Sequence, residues 1–221
     1  QGARTAFLDI DESAAAKTIA GIVAKGLPAP HFVQCDLTNP QALSSAFQAI
    51  AALIGPPRVL VNNAARDDRQ DFSAVTPESW SRTLALNLDH VAFASQAVRA
   101  GMAAAGGGSI VNLSSNNVLM GAKGMAGYVT AKAGIVGLTK ALARELGPDN
   151  IRVNCVMPGW VMTERQRALW AKPEDVAQAL REQCLATELT PEDMCGLVLF
   201  LASDDSRVIT KQVFVADGGR A

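Results

Sequence analysis

Along this chain, short runs of apolar and β-branched residues alternate with longer stretches at helical spacing, and that alternation leaves few folds open. Residues 4–9 read as a strand and 12–25 as a helix, entered through the acidic pair Asp11-Glu12 that suits its positive end. The strand at 31–35 is followed by a helix whose start, Asn39-Pro40, puts proline where a missing N–H does no harm. A strand at 58–61 leads to Thr76-Pro77-Glu78, which opens a helical region running to about 105, where Gly106-Gly107-Gly108 breaks it. Strands at 109–113, 151–156 and 212–215 complete the set, with helices at 127–146 and from Thr190-Pro191-Glu192 onward. Strand-helix alternation points to a parallel sheet covered by helices on both faces.

A chain of 221 residues, 49% of them hydrophobic, buries one sizeable core, so residues 1–221 are read as a single domain. Twenty basic residues against twenty-one acidic give no electrostatic reason to expect nucleic acid or an anionic membrane as partner. No apolar run approaches the roughly 20 residues of a membrane span, and no signal segment opens the chain, so a cytoplasmic location is expected. Cys35, Cys155, Cys184 and Cys195 are scattered and read as small buried hydrophobes. His31 and His90 lie far apart, and no metal site is expected.

Chemistry enters at the chain's one tyrosine. Tyr128 and Lys132 stand one helical turn apart on one face, and an ammonium near a phenol favours the phenolate, moving a group of pKa about 10 toward service as a base. A solvated surface pair is the alternative. Ser115, thirteen residues earlier, follows the strand at 109–113, where open parallel sheets present reactive groups. Asn87 sits in an apolar helical stretch and needs partners there, a helix carbonyl and an ordered water among the candidates.

These four residues, with Val61-Asn62-Asn63-Ala64 and Met157-Pro158-Gly159, resemble the signature set of the short-chain dehydrogenase/reductase family across nearly the whole chain. The resemblance implies a Rossmann-like doubly wound α/β fold, a nicotinamide cofactor, and a catalytic tetrad of Asn87, Ser115, Tyr128 and Lys132. It places cofactor contacts at Asp9, Ile10, Asp36, Leu37, Asn63, Ala64, Tyr128, Lys132, Val161 and Thr163. Asp9, ending its strand, suits ribose hydroxyls and repels a 2′-phosphate, which favours NAD over NADP. Its alternative role is an acidic helix cap. Ala65 stands where the family has glycine, as does Lys211 in Thr210-Lys211-Gln212. The family's opening strand and glycine-rich turn have no counterpart here, so a segment of roughly 25 to 35 residues is expected ahead of Gln1-Gly2-Ala3-Arg4, and without it the sheet is expected to split.

Asp67-Asp68-Arg69, Thr163-Glu164-Arg165-Gln166 and Gln183-Cys184-Leu185 are similar in local text to bacterial aldose 1-dehydrogenases, which implies a sugar or polyol substrate met by Ser115, Asn117, Tyr128 and Arg165. The charged loop at 67–69 is equally readable as a solvated turn, Asn117 as a loop-favoured residue, and Arg165 as a surface partner of Glu164. Residues 160–190 are expected to form a mobile helical flap over the substrate. A 3-oxoacyl or other carbonyl reductase, and a non-catalytic binding protein on the same fold, are the competing readings. Ala131, Ala133, Gly134, Gly137 and Ala141 permit close helix packing, and the family implies a homodimer or homotetramer.

Overall fold

The computed structural model describes residues 2–221; Gln1, at the head of the loop expected before the first strand, lies outside them. The elements run β1 (Ala6–Asp9), α1 (Glu12–Val23), β2 (His31–Gln34), α2 (Pro40–Ile54), β3 (Val59–Asn62), α3 (Pro77–Leu84), a π turn (Ala85–Asp89) and α4 (His90–Ala104). After these come β4 (Gly108–Leu113), α5 (Asn117–Met120), α6 (Ala126–Leu146), β5 (Ile151–Pro158), α7 (Glu164–Leu169), α8 (Pro173–Glu182), α9 (Pro191–Ala202) and β6 (Val213–Ala216). The chain is thus a single α/β Rossmann-like domain. Every strand pairing is parallel.

Among the described residues the strands form two sheets, β1-β2 and β3-β4-β5-β6, with no ladder between them. The split expected from the sequence is present. Val59 and Val61 of β3 are each 40% exposed, although strands of a doubly wound sheet are normally covered on both faces. One core nonetheless reaches both sheets: Leu8 of β1 and Val33 of β2 pack on a cluster that includes Leu60, Ile110 and Val153, with Leu43 and Phe47 of α2 and Val98 and Met102 of α4.

Strand alternation distributes the side chains of β4 and β5. Ile110, Ile151 and Val153 belong to that first cluster, while Val111, Leu113 and Val156 meet Leu201 of α9 in a second. Buried polar groups are tied into the same layers. Ser109 Oγ donates to the Leu201 carbonyl at 2.7 Å, and Asn62 Nδ2 donates to Asn112 Oδ1, whose own Nδ2 donates to Thr139 Oγ1, both at 2.9 Å.

Two expectations need correction. The helical region from 76 to 105 is not one α-helix but two, separated by the π turn, which hydrophobic periodicity cannot signal because it shifts register by one residue. The segment 160–190 carries the helices α7 and α8, in keeping with the helical character expected of it, each begun by a good start signal: the Thr163 hydroxyl accepting from Gln166 N at 3.2 Å, and Pro173 in the first turn of α8. Cys184 and Cys195 are exposed, while Cys35 and Cys155 are buried: Cys184 lies in the loop after α8 and Cys195 on α9, whereas Cys155 is inside β5 and Cys35 packs with Leu43 and Phe47 of α2.

Candidate active site

The carboxyl ends of β3, β4 and β5 open on a cavity of about 1070 Å³, which is where open α/β sheets hold their ligands. Its walls include Asn63, Ser115, Asn117, Tyr128, Lys132, Val161, Thr163 and Arg165, so the structure brings together most of the site residues expected from the sequence. Asp9, Ile10, Asp36, Leu37, Ala64 and Asn87 do not line it. Asp9 and Asp36 instead stand at the carboxyl ends of β1 and β2, and Ile10 is 62% exposed beside Asp9.

Lys132 is 2% exposed, and its Nζ donates to the Leu113 carbonyl at 2.8 Å. An ammonium carries three donors, so this single protein acceptor leaves capacity for ligand oxygens. Ser114 Oγ fixes the same turn of α6 by donating to the Lys132 carbonyl at 2.7 Å. Burial pushes the Lys132 ammonium down to about 8. The Lys132 Nζ stands 5.6 Å from the centre of the Tyr128 ring, and Ser115 lines the same cavity as the phenol.

The phenol departs from expectation. Burial pushes Tyr128 up to about 12; the Ser115 hydrogen bond works downward and the Asp67 carboxylate upward. Desolvation of the phenolate dominates, and the depressing effect expected of Lys132 is not among the influences on the phenol. Ser115 Oγ also accepts from Asn117 N at 3.2 Å, which holds the start of α5 against the site.

Asn87 occupies the middle of the π turn and is 1% exposed. Its Nδ2 donates to the Thr83 carbonyl at 3.0 Å, as expected, and its Oδ1 accepts from the Arg66 backbone N–H at 2.9 Å. The side chain therefore braces the loop after β3 against α3. Neighbouring His90, 3% exposed, has neither ring nitrogen in a hydrogen bond. Nothing in the sequence around His90 distinguished it from an ordinary helix residue.

The residues at the strand ends suit a nicotinamide dinucleotide. Asp9 spends one oxygen on Asp11 N at 3.0 Å, and its second accepts nothing among the described residues. The cap of α1 is Asp11, which accepts from Ala14 N at 2.9 Å, so Asp9 is free of the alternative role considered for it. Asp36 is held below the usual carboxylate range by hydrogen bonds from the Thr38 hydroxyl and N–H.

The loop at 67–69 and α7 are joined across the cavity mouth. Gln166 Nε2 donates to Asp67 Oδ2 at 2.7 Å, Trp160 Nε1 donates to Gln166 Oε1 at 2.8 Å, and Arg165 Nη2 reaches Asp68 Oδ1 at 3.2 Å and Asp67 Oδ1 at 3.5 Å. Arg165 thus pairs with Asp67 and Asp68, and not with Glu164. Arg69 lies 4.1 Å over the Trp170 ring, whose buried indole N–H has no acceptor among the described residues.

Beneath the site, Asp217 ties the chain end to the Ser115 loop. Its oxygens accept from Asn116 Nδ2 at 3.2 Å and from the N–H groups of Gly219, Arg220 and Ala221. Burial opposes its charge, yet these donors hold the carboxyl below its ordinary range. A Cβ on Gly159 would come within 2.8 Å of the Asp217 Cα, which is why this close crossing of loops takes glycine.

A family model described as enoyl-(acyl carrier protein) reductase matches residues 1–221. "Probable galactose dehydrogenase GalD" of Rhizobium meliloti is 50% identical over 219 residues, covering 99% of this chain and 86% of the relative. The D-xylose 1-dehydrogenase of Caulobacter vibrioides is 44% identical over the same shares. A solved structure from Agrobacterium tumefaciens, provisionally named a gluconate dehydrogenase, superposes with a TM-score of 0.93 at 27% identity, covering 99% of this chain and 86% of that one. Set beside the Ser115, Tyr128 and Lys132 cavity at the carboxyl ends of a parallel sheet, these likenesses identify the chain as a dehydrogenase belonging to the short-chain dehydrogenase/reductase family.

Proposed function

We propose that this enzyme uses NAD to oxidise an aldose at its anomeric hydroxyl, giving the lactone. The observation that carries the reading is the polar wall of the Tyr128 cavity: Asp67, Arg165, Gln166 and Asn117 offer the carboxylate, guanidinium and amides that a many-hydroxyl substrate needs in place of water. The relatives named for galactose and D-xylose support the same substrate class. A 3-oxoacyl-[acyl-carrier-protein] reductase of Chlamydia muridarum is more distant, at 34% identity, and supports the reductase alternative less.

In this reading Ser115 orients the substrate oxygen and Tyr128 takes its proton. Lys132 holds the nicotinamide ribose through its remaining donors, and Asn87 acts as a positioning residue that keeps the loop after β3 in place. NAD, when bound, accepts the hydride and contributes a positive charge that favours the phenolate. Asp9 receives the adenosine ribose hydroxyls, which supports NAD over NADP. Asp36, Leu37, Ile10, Asn63, Ala64, Val161 and Thr163 complete the cofactor contacts. Helices α7 and α8 act as the substrate flap.

Four free cysteines, two of them exposed, support a reducing compartment such as the cytoplasm. No helix among the described residues is long and apolar enough to cross a membrane. The outward Phe93 of α4, 42% exposed, and the open space beside Gly137 of α6 support assembly into a homodimer or homotetramer through these helices.

The test is NADH formation across pentoses, hexoses, polyols and simple secondary alcohols, with Tyr128→Phe as the chemical control. Turnover on aldoses is expected, with a loss of at least about 100-fold in the variant and NAD affinity nearly retained. Activity confined to NADPH-driven acyl reduction overturns the proposal.

A further inference from the structure

We propose that Asp67 is a specificity-determining residue, its carboxylate accepting a hydrogen bond from a sugar hydroxyl other than the one oxidised. This rests on the reading of the cavity as an aldose site.

Position comes first. Asp67 and Asp68 are adjacent in sequence, yet the Asp67 side chain is 17% exposed and that of Asp68 60%. Asp67 lines the cavity with Ser115 and Tyr128, and its charge is felt by the phenol. A substrate whose reacting hydroxyl meets Tyr128 therefore has its other hydroxyls within the range of this carboxylate.

The side chain is also held in place before any substrate arrives. The chain Trp160 to Gln166 to Asp67, with bonds of 2.8 and 2.7 Å, fixes one oxygen, and Arg165 at 3.5 Å steadies the other while making its shorter contact, 3.2 Å, with Asp68. An ionised carboxylate has about four lone-pair sites, so acceptor capacity remains after these two contacts. A fixed acceptor loses little entropy when a hydroxyl docks on it. The same wall contains the complementary group, the Trp170 indole N–H, which is buried and has no acceptor.

The electrostatics make a passive role hard to sustain. Asp67 raises the pKa of the very phenol that acts as base, so its charge opposes the chemistry. The charged groups on the cavity wall with Tyr128 are Lys132 from α6, Asp67 and Arg69 from the loop after β3, Lys123, Arg165 of α7, Asp175 of α8 and Arg220. A neutral amide would hold Gln166 equally well without that penalty. The carboxylate is explained when it performs recognition that an amide cannot, as a strong acceptor for a hydroxyl.

The test pairs Asp67→Asn with a series of substrate aldoses that each lack one hydroxyl. With the full sugar, kcat/KM is expected to fall about 10- to 100-fold, mostly through KM, the range for a hydrogen bond to a charged group. For one deoxy analogue the same substitution should cost under about 3-fold, because the partner is already gone. The acid limb of the kcat/KM profile should move to lower pH, and sugar-induced quenching of tryptophan emission from Trp160 and Trp170 should weaken in parallel. Equal losses on every analogue, or no loss on the full sugar, overturn the assignment. Should asparagine at 67 unfold the protein, Asp67→Glu carries the test: a displaced carboxylate must change the ranking of the deoxy series, and an unchanged ranking overturns it. Wild-type enzyme inactive on every aldose overturns instead the functional reading beneath, before any variant is made.

Discussion

His90 gives the structure a pH dependence that can be worked out in advance. The residue is 3% exposed at the start of α4, and both ring nitrogens lack hydrogen-bond partners. Burial is the main reason its pKa falls to about 4, with the nearby Lys132 charge adding to the shift and the carbonyls of Ala85, Ala64 and Leu86 opposing it. The unfolded chain takes up this proton near the ordinary value of about 6.5, while the folded protein resists until about 4. The unfolded state therefore binds more protons in that window, so stability is fully present above about pH 6.5 and is lost as pH falls through it. At 1.36 kcal/mol for each pKa unit, the loss is about 2 kcal/mol at about pH 5 and about 3 kcal/mol by pH 4.

The variant that isolates this effect is His90→Phe, which keeps a flat ring and removes no hydrogen bond. Its stability at about pH 8 should lie within about 1.5 kcal/mol of wild type, the cost of a near-isosteric core exchange. Urea unfolding followed from pH 8 to about pH 4.5 reads both proteins. Carboxylates held low by hydrogen bonds, Asp36, Asp193 and Asp217 among them, weaken both proteins at acid pH and cancel in the difference. The difference curve should bend near pH 6.5 and favour the variant by a further 2 kcal/mol or so at about pH 5. A difference that stays flat across that range refutes the buried neutral imidazole.

Two further outcomes can be checked with simple variants. Asp9→Ala removes the free carboxylate oxygen at the end of β1, and the ratio of kcat/KM with NADP to that with NAD should rise at least about 10-fold in steady-state assays; a constant ratio denies Asp9 the choice of cofactor. Lys211 has φ +66°, a left-handed conformation that costs a non-glycine residue about 1–3 kcal/mol, so Lys211→Gly should stabilise by about 1 kcal/mol after glycine's extra entropy in the unfolded chain is subtracted. Thermal unfolding reads that gain, and a loss of stability contradicts it.

The strand ends and the meeting of Ser115, Tyr128 and Lys132 in one cavity were legible in the sequence because both depend on local text. Ser109 to Leu113 is an apolar run closed by serines, and Tyr128 and Lys132 share a helix face by spacing alone. What stayed hidden depends on contacts between distant segments. Asp67 and Gln166 are 99 residues apart, and nothing in either neighbourhood announces their bond. The same holds for Asn116 and Asp217, 101 residues apart, although the turn-forming Asp217-Gly218-Gly219 was available as a hint. The π turn hid for another reason: five residues of altered register inside a helical stretch look like helix to any periodic reading. The phenol's upward shift was missed because sequence shows the charge of Lys132 but not the depth at which Tyr128 sits.

Energetics reach the site by a route independent of motifs. Asn87, His90 and Lys132 are each at least 97% buried, and they converge on the π turn and the adjoining turn of α6. A buried ammonium with one carbonyl partner, and an imidazole with no hydrogen bond, are among the least favourable things a core can contain. Apolar replacements would pack there at lower cost, as Val91, Ile135 and Cys155 do in the same neighbourhood. Buried polar residues elsewhere in the sheet are linked to one another, as Asn62, Asn112 and Thr139 are in one hydrogen-bonded chain. Among the described residues the buried side-chain polar atoms without partners are those of His90, beside the π turn that packs on α6, and of Trp170 on the cavity wall. A sequence kept for stability alone would not place them there, whereas an enzyme that must hold ligand oxygens and move a proton has a use for donors the protein does not fill.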